Sequence, residues 1–205
     1  MAVIRPPAGF ERQPLDIETV PSGCRFGRIY ASAFPDPLGF GKTASRFSDP
    51  RRRDATKHFG VLYLGETLKV CFLEAVLRDR RDGLIGDLPI EEKEIYARRY
   101  AEIETIAELS LVDLRDDHAI RMGVPTDVAK SSRQPCVLLG ACVPRTSVAS
   151  RGIIYPSRLN GHTNIDVFWR AISKLAPARV LPLIGAPVFA RAIEDLRVSL
   201  VDGPR

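Results

Sequence analysis

The chain has 205 residues, of which 45% are hydrophobic and 27% are charged, and its formal net charge is +5. Length and hydrophobic content predict one domain with a packed core. No apolar run approaches the roughly 18 residues of a membrane helix, and the N-terminus lacks a signal peptide, so we expect a soluble cytoplasmic protein. The charge is compatible with an anionic ligand, nucleic acid or an acidic partner. Four cysteines without a C-x-x-C pair argue against a zinc site.

The N-terminal segment, residues 1–22, holds four of the sixteen prolines and shows little periodicity. We predict an extended arm there and a single domain over residues 23–205. The sequence CRFGRIYAS at residues 24–32 predicts a first strand. Arg28 and Tyr30 share a face of that strand because side chains alternate.

A turn-rich segment follows, and it contains the sequences DPLGFGKT and GFGKTA. Both are similar to glycine-rich nucleotide-binding motifs. The first has Asp36 in place of the leading glycine of a P-loop, and neither follows an apolar strand, so we interpret neither as a nucleotide site. Arg46, at the end of this segment, is predicted to enter a second strand.

The segment from Val61 to Arg81 predicts a buried strand, VLYLG, followed by a helix that Thr67 caps. The helix is apolar nearly all round, which is typical of a buried helix. Glu74 lies in its middle, and a buried carboxylate is costly unless it is paired or used. An ion pair with Arg78 one turn later and an active-site role are the two alternatives.

The remaining sequence predicts further strands at residues 108–114 and 152–158, and short helices between and after them. Strands and helices mix without a regular βαβ rhythm, which favours an α+β fold over a doubly wound one. Motifs of zinc proteases and serine hydrolases are absent, and the three histidines are scattered. A histidine-based acid–base mechanism is therefore disfavoured.

What remains is a set of polar residues at strand ends and on the central helix: Arg28, Arg46, Tyr63, Glu74 and Ser157. Taken singly, each is commonly a structural residue. In order and spacing, the set resembles the RES domain family, named for its Arg, Glu and Ser. The resemblance covers residues 28 to 195, and the matching segments are GRIY (27–30), SRF (45–47), VLYLGETLKVCFLEA (61–75) and GIIYPSRLNGHTN (152–164).

The resemblance implies an ADP-ribosyltransferase-like fold, in which two small mixed or antiparallel sheets surround an NAD cleft with flanking helices. It implies a toxin of a bacterial toxin–antitoxin pair that consumes NAD+ or transfers its ADP-ribose to a protein. NAD+ would be a substrate, and neither a metal nor a membrane or nucleic-acid partner is expected. The expected partner is an antitoxin with an Xre-like helix-turn-helix domain that blocks the cleft, in a toxin–antitoxin hetero-oligomer; a homo-oligomer is the alternative.

By the same resemblance, Glu74 is the catalytic carboxylate, and Arg28 and Tyr63 act with it. The NAD+-binding residues that it implies are Arg28, Tyr30, Arg46, Tyr63 and Ser157. Asn164 is a candidate for the same cleft, with a turn residue as the alternative. Ser45 and Phe47 flank Arg46 where the family often has glycine and tryptophan, and in some members a tyrosine directly follows the first arginine, where this chain has Ile29.

The residue types suit this chemistry. The guanidinium group of arginine can bind two oxygens of a phosphate with a pair of N–H donors, and NAD+ carries two phosphates. A fixed carboxylate stabilises the positive charge that develops on the ribose as nicotinamide leaves. Two alternatives from other classes remain: a nucleic-acid-binding module, motivated by the net charge and the run Arg51, Arg52 and Arg53, and a RES-like fold kept only for protein interaction.

Overall fold

The computed structural model describes residues 9, 12–41, 47, 59–125, 128 and 150–203 of the chain. Ten strands lie in these ranges, and they are short, with four to eight residues each. The strands are β1 (Ile17–Val20), β2 (Arg25–Ala31), β3 (Val61–Gly65), β4 (Leu88–Glu91), β5 (Arg98–Thr105), β6 (Leu109–Asp113), β7 (Gly152–Pro156), β8 (Thr163–Phe168), β9 (Leu175–Pro182) and β10 (Val198–Val201).

Eight strands form one curled sheet in the order β1-β6-β7-β8-β3-β2-β5-β9, and β10 pairs with β4 in a separate parallel sheet. Neighbours in the large sheet are antiparallel except for β6 and β7. The helices are α1 (Leu68–Phe72), continued by a π-helical turn (Leu73–Leu77), α2 (Glu92–Tyr96), α3 (His118–Arg121) and α4 (Phe189–Asp195), with 3-10 helices at Trp169–Lys174 and Leu183–Gly185. This mixture confirms the predicted α+β class.

The large sheet is weakly joined at its middle. Strands β2 and β3 share one register pair in the described residues, Gly27 with Gly65, whereas β2 and β5 share seven. We call β1, β6, β7, β8 and β3 the five-strand half, and β2, β5 and β9 the three-strand half. The halves still form one hydrogen-bonded sheet, and the second sheet has two strands, so the prediction of two small sheets around a cleft is not confirmed.

Two glycines allow α1 to pack against this junction. A Cβ atom on Gly27 or on Gly65 would lie 2.9 Å from the Sγ atom of Cys71, so a larger residue at either position would displace the helix. Cys71 is buried, and burial raises the pKa of its thiol to about 12. The thiol therefore stays protonated and acts as a packing group.

The two faces of the sheet at the junction carry different residues. The face toward α1, here the helix face, includes Gly27, Ile29 and Gly65, and Ile29 packs with Cys71 in one core cluster. Tyr30 belongs to another core cluster, which covers the opposite face. Because side chains alternate along β2, Arg28 lies on the opposite face with Tyr30.

Several helices and strands begin or end at residues other than those predicted from the sequence. Thr67 caps α1 as predicted, since its side chain accepts a hydrogen bond from the Val70 amide at 3.2 Å. The helical segment ends at Leu77, earlier than the predicted Arg81. Within residues 1–22, predicted as an extended arm, residues 17–20 form β1 and pair with β6 at one edge of the sheet. None of the helices in the described ranges is long and apolar enough to cross a membrane.

Candidate active site

Glu74 lies in the π-helical turn that follows α1. The Arg78 amide donates to the Leu73 carbonyl at 2.7 Å, which closes this wider turn. Single π-turns within helices are frequent at functional sites because they redirect side chains. Arg78, at the end of the turn, has a left-handed φ of 46°. Its Nε donates to the Glu74 carbonyl oxygen at 3.0 Å, so Arg78 binds the backbone of Glu74, and the side-chain ion pair considered from the sequence does not form.

The Glu74 carboxylate instead binds two residues of the five-strand half. The Ser157 hydroxyl donates to Oε1 at 2.7 Å, and the Asn164 amide Nδ2 donates to the same oxygen at 3.2 Å. Both partners are buried. Among the described residues no hydrogen bond reaches Oε2 of Glu74. The carboxylate is thus oriented through one oxygen, and the other oxygen has no hydrogen bond from the described residues.

The connection between β7 and β8 fixes the Ser157 side of this cluster. The Ser157 amide donates to the His162 carbonyl at 2.6 Å, and the Gly161 amide donates to the Ser157 carbonyl at 2.8 Å. Gly161 has a φ of 75°, which glycine adopts without strain. The Leu159 amide donates to the Ser157 Oγ at 3.2 Å. The Ser157 hydroxyl therefore accepts a hydrogen bond from the turn and donates one to Glu74.

Asn164 lies inside the sheet, which corrects the alternative that it is a turn residue. It is in β8, paired with Gly65 of β3 on one side and with Tyr155 of β7 on the other. Tyr63 lies two residues before Gly65, so it shares the helix face with Asn164. Tyr63 is 38% exposed, an unusual exposure for an aromatic residue in a central strand. Its ring is accessible to a ligand bound beside Asn164.

A buried polar pair next to Asn164 was missed from the sequence. Asp166 is fully buried and lies opposite Tyr63, and the Tyr155 hydroxyl donates to its Oδ1 at 3.0 Å. Both side chains lie on the helix face, since Asp166 is two residues after Asn164. The signal was present: in NIDVF, polar residues at positions 164 and 166 alternate with Ile and Val, which indicates a strand with one polar face.

The predicted Arg28 and Tyr30 lie together in the three-strand half, on the opposite face. The Arg28 guanidinium lies over the Tyr30 ring, 5.4 Å from its centroid, and donates through Nη1 to the Pro37 carbonyl. Burial lowers the pKa of Arg28, and smaller effects of Tyr30 and Asp36 raise it. A partly buried cation at this position favours an anionic partner.

The structure therefore brings Glu74, Ser157 and Asn164 into direct contact and places Tyr63 on their face of the sheet. Arg28 follows Gly27 directly, at the point where β2 parts from β3, and Tyr30 lies two residues further along β2. The predicted Arg46, and the basic run 51–53 that motivated a nucleic-acid-binding module, lie outside the described residues. In the described part of the chain, no group of three His, Cys, Asp or Glu side chains is placed to hold a metal ion.

One known protein is similar to this chain in sequence, and another is similar in fold. A probable toxin, y4kH, of Sinorhizobium fredii (strain NBRC 101917 / NGR234) is 34% identical over 130 residues, which are 61% of this chain and 100% of that protein. A chain in the crystal structure of the M. tuberculosis MbcT–MbcA toxin–antitoxin complex has a similar fold, with a TM-score of 0.59 and 18% sequence identity. That similarity covers 87% of this chain and 91% of the other.

A family comparison covers the segments on which the sequence resemblance was based. The model of the RES domain matches residues 22–187, which is most of the chain and includes β2 to β9 with every candidate residue named above. The chain therefore belongs to the RES domain family.

Proposed function

We propose that this protein is the toxin of a toxin–antitoxin pair and that it cleaves the bond between nicotinamide and ribose in NAD+. Membership of the RES family supports this, as do the similarities to a probable toxin and to a chain of a toxin–antitoxin complex. The observation that carries the proposal is the Glu74 carboxylate, which Ser157 and Asn164 hold through one oxygen. A carboxylate fixed in this way requires little reorganisation as charge develops beside it.

In the proposed reaction, the bond from ribose C1′ to the nicotinamide nitrogen breaks, and its electron pair stays on that nitrogen. Positive charge develops on C1′ and the ring oxygen of the ribose, and Oε2 of Glu74 stabilises it. An oxygen of water or phosphate then bonds to C1′. When the acceptor is water, it releases one proton to solvent and keeps the other. Tyr63 provides an accessible ring for the nicotinamide on the helix face. The dinucleotide passes the junction where β2 parts from β3, and Arg28 binds one of its phosphates on the opposite face.

The partner in this proposal is an antitoxin with an Xre-like helix-turn-helix domain, which covers the site and prevents the reaction. A related candidate function uses the same carboxylate: transfer of ADP-ribose to a side chain of a target protein. The two functions share the bond that breaks and differ in the acceptor.

The first experiment is to incubate the purified protein with NAD+, with and without phosphate, and to separate the products by chromatography. Nicotinamide should appear, together with ADP-ribose in water or its 1-phosphate in phosphate. Glu74→Gln should lower the rate about 10²- to 10³-fold, as for loss of one preorganised electrostatic group. Glu108→Gln, which changes an exposed carboxylate between β5 and β6, should keep the parent rate.

Full activity in a folded Glu74→Gln protein would overturn the mechanism. If the parent protein leaves NAD+ intact in both buffers, cleavage to water or phosphate is wrong. Labelled NAD+ incubated with the host proteome then tests the transfer reaction, which should label a protein only when Glu74 is present.

A further inference from the structure

Three polar residues of the three-strand half lie on one face of the sheet, at neighbouring positions of β2 and β5. Tyr30 of β2 pairs with Arg99 of β5, and Arg28 pairs with Ala101, two residues further along β5. Because side chains alternate along both strands, Arg28, Tyr30 and Arg99 all lie on the opposite face, with Arg28 two residues before Tyr30 on β2 and Arg99 directly across from Tyr30 on β5. Directly paired residues of this kind have Cβ atoms about 5 Å apart.

Two of these groups have buried polar atoms without partners. The Tyr30 hydroxyl is buried, as is Nε of Arg99, and neither makes a hydrogen bond within the described part of the chain. Tyr30 itself is only 6% exposed. Such atoms are uncommon in native proteins because each loses its hydrogen bonds to water. Arg28 has a partner, the carbonyl of Pro37, but this acceptor is uncharged.

Two other arginines of the same half have carboxylate partners. Arg25 Nε donates to Glu104 at 3.0 Å, and Arg98 Nη2 donates to Glu94 at 2.9 Å. Arg98 is the chain neighbour of Arg99 and lies on the other face. Among the described residues, neither Arg28 nor Arg99 has a carboxylate within ion-pair distance. Two cations and a tyrosine hydroxyl thus share a face with no acidic group bound to them.

We propose that Arg28, Tyr30 and Arg99 form a phosphate-binding site, in which Arg99 is a further ligand-binding residue that the sequence did not reveal. The bound group is a phosphate oxyanion, since two guanidinium groups and a hydroxyl place positive charge and several hydrogen-bond donors on one face, an arrangement that favours an acceptor of high negative charge. Two sources carry this chemistry: the diphosphate of the dinucleotide, and inorganic phosphate as the acceptor of the ribosyl group. The choice of NAD+ as the nucleotide rests on the proposed function, whereas the phosphate chemistry does not.

Binding measurements test this site without requiring cleavage. Calorimetric titration of the full chain with ADP-ribose and, separately, with inorganic phosphate distinguishes the two sources. Arg99→Gln should weaken binding of at least one of them about tenfold or more, as expected for hydrogen bonds to a charged group. Tyr30→Phe should weaken the same ligand less. Arg98→Gln removes the same charge from the adjacent residue and should leave both affinities unchanged.

Loss of affinity for ADP-ribose alone assigns the site to the nucleotide diphosphate, and loss for phosphate alone assigns it to the acceptor. A folded Arg99→Gln protein that binds both ligands like the parent overturns the proposal, as does a parent that binds neither. If Arg99→Gln fails to fold, Arg99→Lys keeps the positive charge but lacks the planar guanidinium group. It should then show a smaller loss of affinity than Arg99→Gln would. A parent that leaves NAD+ intact, yet binds ADP-ribose through Arg99, would overturn the proposed cleavage and keep this site.

Discussion

The five-strand half and the three-strand half of the sheet hold their polar residues in different ways. In the five-strand half, Ser157 and Asn164 are buried and both bind the Glu74 carboxylate. In the three-strand half, Arg28 binds a neutral carbonyl, and Nε of Arg99 is buried without a hydrogen-bond partner among the described residues. The protein thus provides two partners for one oxygen of the Glu74 carboxylate, whereas the described residues provide no carboxylate partner for either arginine. Under the proposed function, this difference assigns transition-state stabilisation to the first half and ligand binding to the second.

The largest predicted effect is on the kinetic constants of NAD+ cleavage, which substitutions in the two halves should change differently. Glu74→Gln should lower kcat for NAD+ cleavage about 10²- to 10³-fold with little change in KM, because its charge acts as the ribose becomes positive. Arg28→Gln should raise KM about tenfold with a smaller change in kcat, because phosphate binding is common to substrate and transition state. Steady-state rates over a range of NAD+ concentrations measure both constants.

Charge-removing substitutions outside the proposed site provide the controls. Glu108→Gln and Arg98→Gln remove one charge of each sign outside the proposed site, and both should retain the parent values. If Glu74→Gln changes only KM, or Arg28→Gln changes only kcat, the assignment of roles to the two halves is wrong.

The sequence predicted more of the first half than of the second. The strand VLYLG, the Thr67 cap and the position of Glu74 follow from local patterns of apolar and capping residues. The contact between Glu74 and Ser157 joins residues 83 positions apart, so it depends on strand order. The family resemblance placed both residues in one site but did not predict this contact. The junction at Gly27 and Gly65 also depends on this order.

Two other features had no clear local signal. The π-helical turn that carries Glu74 follows an ordinary apolar helix pattern, and its hydrogen bonds become visible only in three dimensions. Arg99 is one of two adjacent arginines, and the face on which each lies is set by the register of β5 against β2. Since a shift of one residue would exchange Arg98 and Arg99, the sequence alone could not choose between them.

A smaller effect tests whether the buried pair beside the carboxylate cluster supports the five-strand half. Tyr155→Phe removes the hydroxyl that donates to fully buried Asp166 and should lower the free energy of unfolding by about 1–3 kcal/mol. Tyr96→Phe makes the same chemical change at a residue that is 60% exposed and should cost less than about 0.5 kcal/mol. Urea unfolding followed by circular dichroism measures both, and equal stability of the two variants would contradict this role.

The smallest predicted effect is a pH dependence of the stability, from a residue near the edge of the five-strand half. Asp113, at the end of β6, accepts from Arg115 Nε at 2.9 Å and Nη2 at 2.7 Å. Burial acts to raise the pKa of Asp113, but these bonds outweigh it and hold the pKa below its ordinary value. His118 adds to this effect, with Nε2 at 3.9 Å from the carboxylate.

A folded-state pKa below the unfolded value means that the ionised carboxylate stabilises the fold. This stability is present above the unfolded pKa of Asp113 and is lost as the pH falls through the lower, folded one. Asp113→Asn should therefore be less stable than the parent by about 1 kcal/mol near pH 6, and the difference should shrink toward about pH 2. Asp202→Asn, at an exposed position, should follow the parent at every pH. Thermal unfolding of the three proteins across this range gives the comparison. A constant difference between Asp113→Asn and the parent would mean that the Arg115 contact does not depend on the charge of Asp113.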